Sequence, residues 1–205
     1  MATRNILKDG DRGLEKKSRV VTDFDKRLHI LLDDMRETLI EANGLGLAAP
    51  QVGVLRRVAL IVDIKPKADT SEEEIDELAM ETDDENTTEN VEEQIIELIN
   101  PELISRDGEQ TGSEGCLSVP GVYGVVTRPD TVKIRAQDRY GNSFELEGSE
   151  LTARAICHEM DHLDGVIFTS LAERLLSEEE LAELIAQSNQ SEEDDDDEKK
   201  GIDKQ

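Results

Sequence analysis

The sequence predicts an α+β fold, and three observations point to it. Residues 22–43 place their apolar side chains on one helical face, and a second, more apolar helix spans about 150–165. Residues 131–146 alternate apolar and polar side chains on both sides of a turn, as a strand hairpin does. The strand-like runs are flanked by helices, without the regular β–α–β alternation that builds a parallel sheet.

Taken in order, the first helix carries Phe24, Leu28, Leu31, Leu32, Met35 and Leu39 on its buried face. Thr22 with Asp25 resembles a capping box at its start, and Gly44 can stop it. Gly44-Leu45-Gly46-Leu47-Ala48-Ala49-Pro50-Gln51 is too rich in Gly and Pro to be regular. Residues 57–64 are β-rich and end before Pro66. Residues 66–94 are polar and acidic, with weak helical fragments at Ile75, Leu78 and Ala79, and read as a disordered or loosely helical insertion. Order resumes at Ile95, with an apolar run to Ile99 and on to Leu103-Ile104. Val132, Ile134 and Ala136 form one face of a strand, Asp138 to Asn142 turn the chain, and Phe144 and Leu146 return it. Ser149 offers an N-cap for the next helix, which ends near Gly165. Ser177 with Glu180 caps a last helix carrying Leu181, Leu184 and Ile185. The expected organisation is one domain over residues 1–190, with the acidic insertion at about 66–94, followed by a disordered acidic tail at 191–205.

Aromatic residues are only 2% of the chain, so aliphatic side chains must build most of the core. The net charge of −26 is concentrated in blocks: residues 69–97 hold no Lys or Arg, and 191–198 read Ser-Glu-Glu-Asp-Asp-Asp-Asp-Glu. Such acidity argues against direct nucleic-acid binding, because phosphates would be repelled. Two cysteines make no disulfide framework, the N-terminus lacks a signal-peptide apolar run, and no stretch reaches membrane-spanning length. A cytoplasmic, reducing location is the expectation.

The chemistry centres on His158-Glu159-Met160-Asp161-His162. Residues four apart stack on one helix face, which lets two imidazoles reach one metal ion. Glu159 lies beside that stack and can touch a water instead of the metal. Leu151, Ala155, Ile156, Cys157, Met160 and Leu163 make the helix apolar nearly all round, so both histidines should be buried. The competing reading is two core histidines bonded to backbone or carboxylates. A hydrolytic site needs a third protein ligand and an open position. Cys116, between Gly115 and Leu117-Ser118-Val119-Pro120, is one candidate, and an inert buried thiol is its alternative. Cys157 competes, although its place before His158 turns its side chain away, toward the core. Asp161 could orient a ligand or simply solvate a helix edge. His29 has no metal-like spacing and reads as a surface or core-edge residue.

Three segments, Gly44 to Gln51, Glu114-Gly115-Cys116-Leu117-Ser118 and His158 to His162, occur in this order, and together they resemble the signature motifs of the bacterial peptide deformylases. The resemblance covers residues 1–64 and about 95–172. It implies antiparallel β-sheets packed around a central helix that carries the His-Glu-x-x-His motif. It implies an enzyme that removes formate from the N-terminal formyl-methionine of newly synthesised proteins. It implies Cys116, His158 and His162 as metal ligands, with iron(II) usual and zinc, nickel or cobalt able to substitute. Glu159 becomes the general base, and the Gln51 amide and Leu117 backbone N–H become the oxyanion hole. Gly46 would let substrate backbone approach, and Leu45, Leu151 and the stem of Arg154 would line the methionine pocket. The partners would be N-formyl-methionyl nascent peptides, met in transient proximity to the ribosome, with neither nucleic acid nor membrane bound directly. The acidic insertion and the acidic tail depart from the family pattern as read here.

Two other classes share part of this pattern. A zinc metalloprotease also uses His-Glu-x-x-His, with a downstream Glu such as Glu178, Glu179 or Glu180 as third ligand; the Cys116 segment argues against it. A catalytically retired metal-binding or acidic interaction module is the non-enzymatic rival, and the intact Glu159 and Gln51 weigh against that.

Overall fold

The structure is a computed structural model that describes residues 2–63, 95–177 and 179–181. Helix α1 (Lys26–Glu41) is followed by strand β1 (Gly46–Ala48), a 3-10 turn at Ala49–Val52 and β2 (Val58–Val62). Then come β3 (Ile95–Asp107), β4 (Gln110–Cys116), β5 (Val119–Arg128), β6 (Thr131–Gln137) and β7 (Ser143–Ser149). Helix α2 (Glu150–Asp164), a second 3-10 turn at Phe168–Ser170 and the short β8 (Arg174–Leu175) follow among the described residues. Every strand pair is antiparallel. One sheet runs β1-β2-β3-β6-β7 and the other β4-β5-β8.

Strand β2 explains how the layers stack. All five of its residues are buried. Val58, Leu60 and Val62 face Leu28, Leu32, Met35 and Leu39 of α1. Ala59 and Ile61 face the other way, onto Ala153, Ile156 and Leu163 of α2, along with Val132, Ile134 and Ala136. Covered on both faces, the strand reads in sequence as a continuous apolar run and not as an alternation. A third cluster, with Leu14, Val119, Val126 and Phe168, closes the space beside the three-stranded sheet. Helix α2 thus packs on one face of the larger sheet, and α1 covers the opposite face.

The hairpin appears as read, with Ile134 opposite Leu146 and Ala136 opposite Phe144. Asn100, at φ 52°, takes the left-handed backbone that Asn tolerates, where the β3–β6 register shifts. Its side chain bonds both backbone groups of Val21 and the Gln137 amide oxygen, fixing that irregularity.

Several local expectations are corrected. Helix α1 starts at Lys26, not Thr22, because Asp25 itself caps it by accepting from the Arg27 and Leu28 N–H groups. The helix ends before Gly44: Asn43, at φ 48°, already makes the left-handed exit. Ser149 stands at the N-cap of α2 but its side chain makes no capping bond; Glu150 N–H is instead held by the Asp130 carbonyl at 2.8 Å. The segment Gly46 to Ala48, read as irregular, pairs with β2. Ser177 and Glu180 do form the reciprocal capping box, at 2.9 and 3.2 Å. The insertion, the last helix beyond Leu181 and the tail lie outside the described residues. Among those described, no helix is long and apolar enough to cross a membrane.

Candidate metal centre and active site

Helix geometry sets the first two ligands. His158 and His162 stand one turn apart on α2, with ring centroids 4.9 Å apart and planes at 83°. The third group comes from the end of β4, where the register shifts and the chain turns tightly, so that Cys116 pairs with Val119. That turn brings Cys116 Sγ to 3.2 Å from His162 Nε2. One donor atom from each of Cys116, His158 and His162 lies within 4.8 Å of the others. Ser118 N–H at 3.4 Å and the Gln51 amide at 3.5 Å both donate to the sulfur and help to fix its position. Cys157 packs against the helix–sheet core, and burial pushes its thiol up.

A strand's period of two puts Glu114 on the same face as Cys116. Glu114 is buried, and its Oε2 lies 3.1 Å from His158 Nδ1, so the carboxylate fixes the ring and leaves the other nitrogen for the cluster. Arg128 grips the same carboxylate with two bonds of 2.8 and 3.0 Å, and Arg154 adds a third at 2.9 Å. Burial alone would raise the Glu114 pKa, but the bonds from His158 and Arg128 bring it down to about 2. Asp161 accepts from Arg128 at 2.6 Å. Glu114, not Asp161, is therefore the carboxylate that orients a histidine. Arg154 does line the cavity, while its guanidinium is spent on Glu114 and the Val126 carbonyl.

Glu159 is 3% exposed, and burial pushes its pKa up to about 7. Its Oε2 is buried with no hydrogen-bond partner among the described residues. A buried carboxylate oxygen without a partner is costly, and this side chain lines the same cavity as Cys116 and His158. Gly46 packs directly on this side chain: a Cβ there would lie 2.7 Å from the Glu159 Cδ. Burial opposes a charge on His158, yet the bonds to Cys116 and Glu114 carry its pKa up to about 10. Burial and the His158 charge push His162 down to about 3. Two imidazoles and a thiol suit a borderline divalent ion.

These groups open into a cavity of about 580 Å³. Among the residues singled out from the sequence, Leu45, Gly46, Gln51, Cys116, Leu117, Leu151, Arg154, His158 and Glu159 line it, and His162 sits behind them. Gln51 is held by the Ala48 N–H on its oxygen at 2.7 Å, which aims its amide nitrogen at Ser118 Oγ (3.2 Å) and the Cys116 sulfur. Leu45 and Leu151, 46% and 44% exposed, form apolar parts of the mouth. Tyr123, which sequence reading passed over, joins them by lying across Gly115. His29 bonds the Arg139 carbonyl at 2.8 Å, far along the chain from this cluster. Glu180, a rival third ligand, is spent on its capping box and on Arg174.

Two imidazoles on one helix turn and a strand-end thiol around a single point, with a buried carboxylate lining the same cavity, inside an antiparallel α+β frame, define a metal-dependent hydrolase. The polypeptide deformylase family profile matches residues 3–177, and the chain belongs to that family. Its members are enzymes that remove the formyl group from the N-formyl-methionine of nascent proteins. The chain is 48% identical over 183 residues to a peptide deformylase of Caldicellulosiruptor bescii, covering 89% of this chain and 93% of that one. It is 44% identical over 184 residues to peptide deformylase 1 of Bacillus subtilis, covering 90% and 99%. The fold matches the crystal structure of a peptide deformylase from Legionella pneumophila with a TM-score of 0.67 at 34% identity, over 92% of this chain and 98% of that one.

Proposed function

We propose that this chain deformylates nascent N-formyl-methionyl peptides with Cys116, His158 and His162 as metal ligands and Glu159 as the general base. The observation that carries this reading is the buried, unpartnered Glu159 oxygen on a side chain that lines the same cavity as Cys116 and His158. Cys116, His158 and His162 would hold a divalent cation, which would supply Lewis acidity to the formyl group and to water. Iron(II) is the ion the family resemblance favours, with zinc, nickel or cobalt able to substitute.

Glu159 accepts the proton of the attacking water and returns it to the departing amine. As charge grows on the formyl oxygen, the Gln51 amide and the Leu117 N–H stabilise it. Leu45, Leu151 and the stem of Arg154 receive the methionine side chain, and Gly46 offers its backbone to the substrate at the cavity wall while its missing Cβ makes room for Glu159. Arg154 contributes its stem alone, because its charge is already paired.

The reaction belongs in the cytoplasm, close to translating ribosomes. The acidic tail at 191–205 is repelled by RNA within a Debye length of about 8 Å and does not anchor the enzyme there. Ribosome co-sedimentation of the full chain and of one ending at Gln190 checks this; loss of binding on truncation would make the tail a docking element.

The deciding assay follows formate release from formyl-Met-Ala-Ser together with the integrity of the peptide. Formate with an intact Met-Ala bond supports deformylation. Cleavage of that bond would point to a peptidase, and neither product from metal-loaded protein would point to a retired module.

A further inference from the structure

We propose that Lys8 is a positioning residue for the oxyanion hole, an inference that rests on Gln51 and Leu117 being its donors. Those two residues arrive from different sheets. Gln51 follows β1 of the five-stranded sheet, and Leu117 sits between β4 and β5 of the three-stranded one. Residues 7–9 bridge them. Leu7 N–H donates to the Gln51 carbonyl at 2.7 Å, and Asp9 N–H donates to the Ser118 carbonyl at 2.8 Å. Between them the Lys8 ammonium donates to the Leu117 carbonyl at 2.8 Å and borders the cavity.

The bridge fixes the gap that matters. An oxyanion hole works only if its donors keep their spacing to about half an ångström. The Leu7 and Asp9 bonds are backbone bonds and hold the two loops at a set distance. The Lys8 bond is the one that a side chain supplies, and it governs the tilt of the Leu117–Ser118 peptide. The Ser118 N–H of that same peptide donates to Cys116 Sγ at 3.4 Å. The oxyanion donor, the Leu117 N–H, belongs to the adjoining Cys116–Leu117 peptide, so Lys8 acts on it by holding the turn in place. Lys8 thereby acts on the Leu117 turn while its own ammonium stays exposed at the cavity rim.

The test uses the full-length, metal-loaded enzyme and four variants: Lys8→Met, Lys8→Arg, Gln51→Met and the Lys8→Met/Gln51→Met double. Lys8→Met keeps the stem and removes the donor. The expected result is a kcat lowered about tenfold with KM changed less than about twofold, since misplacing a donor acts on the transition state. Metal per chain should stay at the wild-type value, and Tm should move by no more than about 2 °C for a surface change. Lys8→Arg should restore most of the rate, and the double variant should lose less than the product of the single losses. Wild-type kcat in Lys8→Met, a loss that tracks metal or Tm, or a change confined to KM would each overturn the inference. The Gln51→Met arm separates the two claims: if kcat survives there, the oxyanion-hole reading itself fails; if kcat falls there but not in Lys8→Met, only the positioning role fails.

Discussion

Glu114 Oε2 lies 3.1 Å from His158 Nδ1, and the same carboxylate is clasped by Arg128 and Arg154. One side chain thus settles the orientation of an imidazole and the pairing of two buried cations. Glu114→Gln keeps the shape but loses the charge. It should lower metal affinity by about 10- to 100-fold, as loss of a ligand-orienting partner does. It should also destabilise the fold by up to about 3 kcal/mol, because two arginines are left facing a neutral amide. Asp161→Asn, at the rim of the same network and 28% exposed, should cost clearly less on both measures. Competitive metal titration and denaturant melts check this; unchanged affinity with lower stability would reduce Glu114 to a structural role.

Glu159→Gln should retain stoichiometric metal and lose about two to four powers of ten in rate, because an amide cannot accept the proton. Formate release by the purified, metal-analysed variant is the measurement. A rate near wild type would remove Glu159 from the role of base.

The two thiols should behave differently. Cys157→Ala should keep metal and activity and lose about 1 kcal/mol from the core. Cys116→Ala should lose metal sharply while its neighbours keep their places. Elemental analysis of both variants decides, and the reverse ranking would exchange their assignments.

Gly46→Ala places a methyl group against the Glu159 carboxylate, so it should lower kcat by about 10- to 100-fold with metal retained. Gly44→Ala meets chiefly the flexible tips of Leu117 and Leu39 and should be milder. Equal effects from both substitutions would show that the Gly46–Glu159 contact has no special weight.

Much of this site is legible because its spacings are local. Four residues on a helix align His158 with His162, and two on a strand align Glu114 with Cys116. The second spacing could have exposed Glu114 as a partner, but strands β4 and β5 are hard to read: Gly112, Gly115, Gly121 and Gly124 break their apolar alternation. Arg128 carries no local mark at all. It reaches Glu114 across a hairpin in which it pairs with Gln110, a contact made only by tertiary packing. The start of α1 was misplaced because Thr22 and Asp25 are both good caps, and only the extended backbone at Asp25 decides between them.

Val62 and Ile95 are register partners, so the chain that leaves β2 and the chain that enters β3 stand side by side, and Val62 N–H also holds the Leu45 carbonyl at the cavity mouth. Strands β2 and β3 are therefore joined by their own ladder and by the two cores, independently of the peptide bonds that run between residues 63 and 95. The enzyme should tolerate being made in two pieces. A cut within 68–92 leaves α1, β1 and Gln51 on one fragment and Cys116, His158 and His162 on the other, and costs chiefly the entropy of bringing two chains together in place of closing one loop. Coexpressed fragments should recover as a complex that still turns over formylated peptide, which makes this junction a place where the chain can be opened, tagged or split without touching its chemistry.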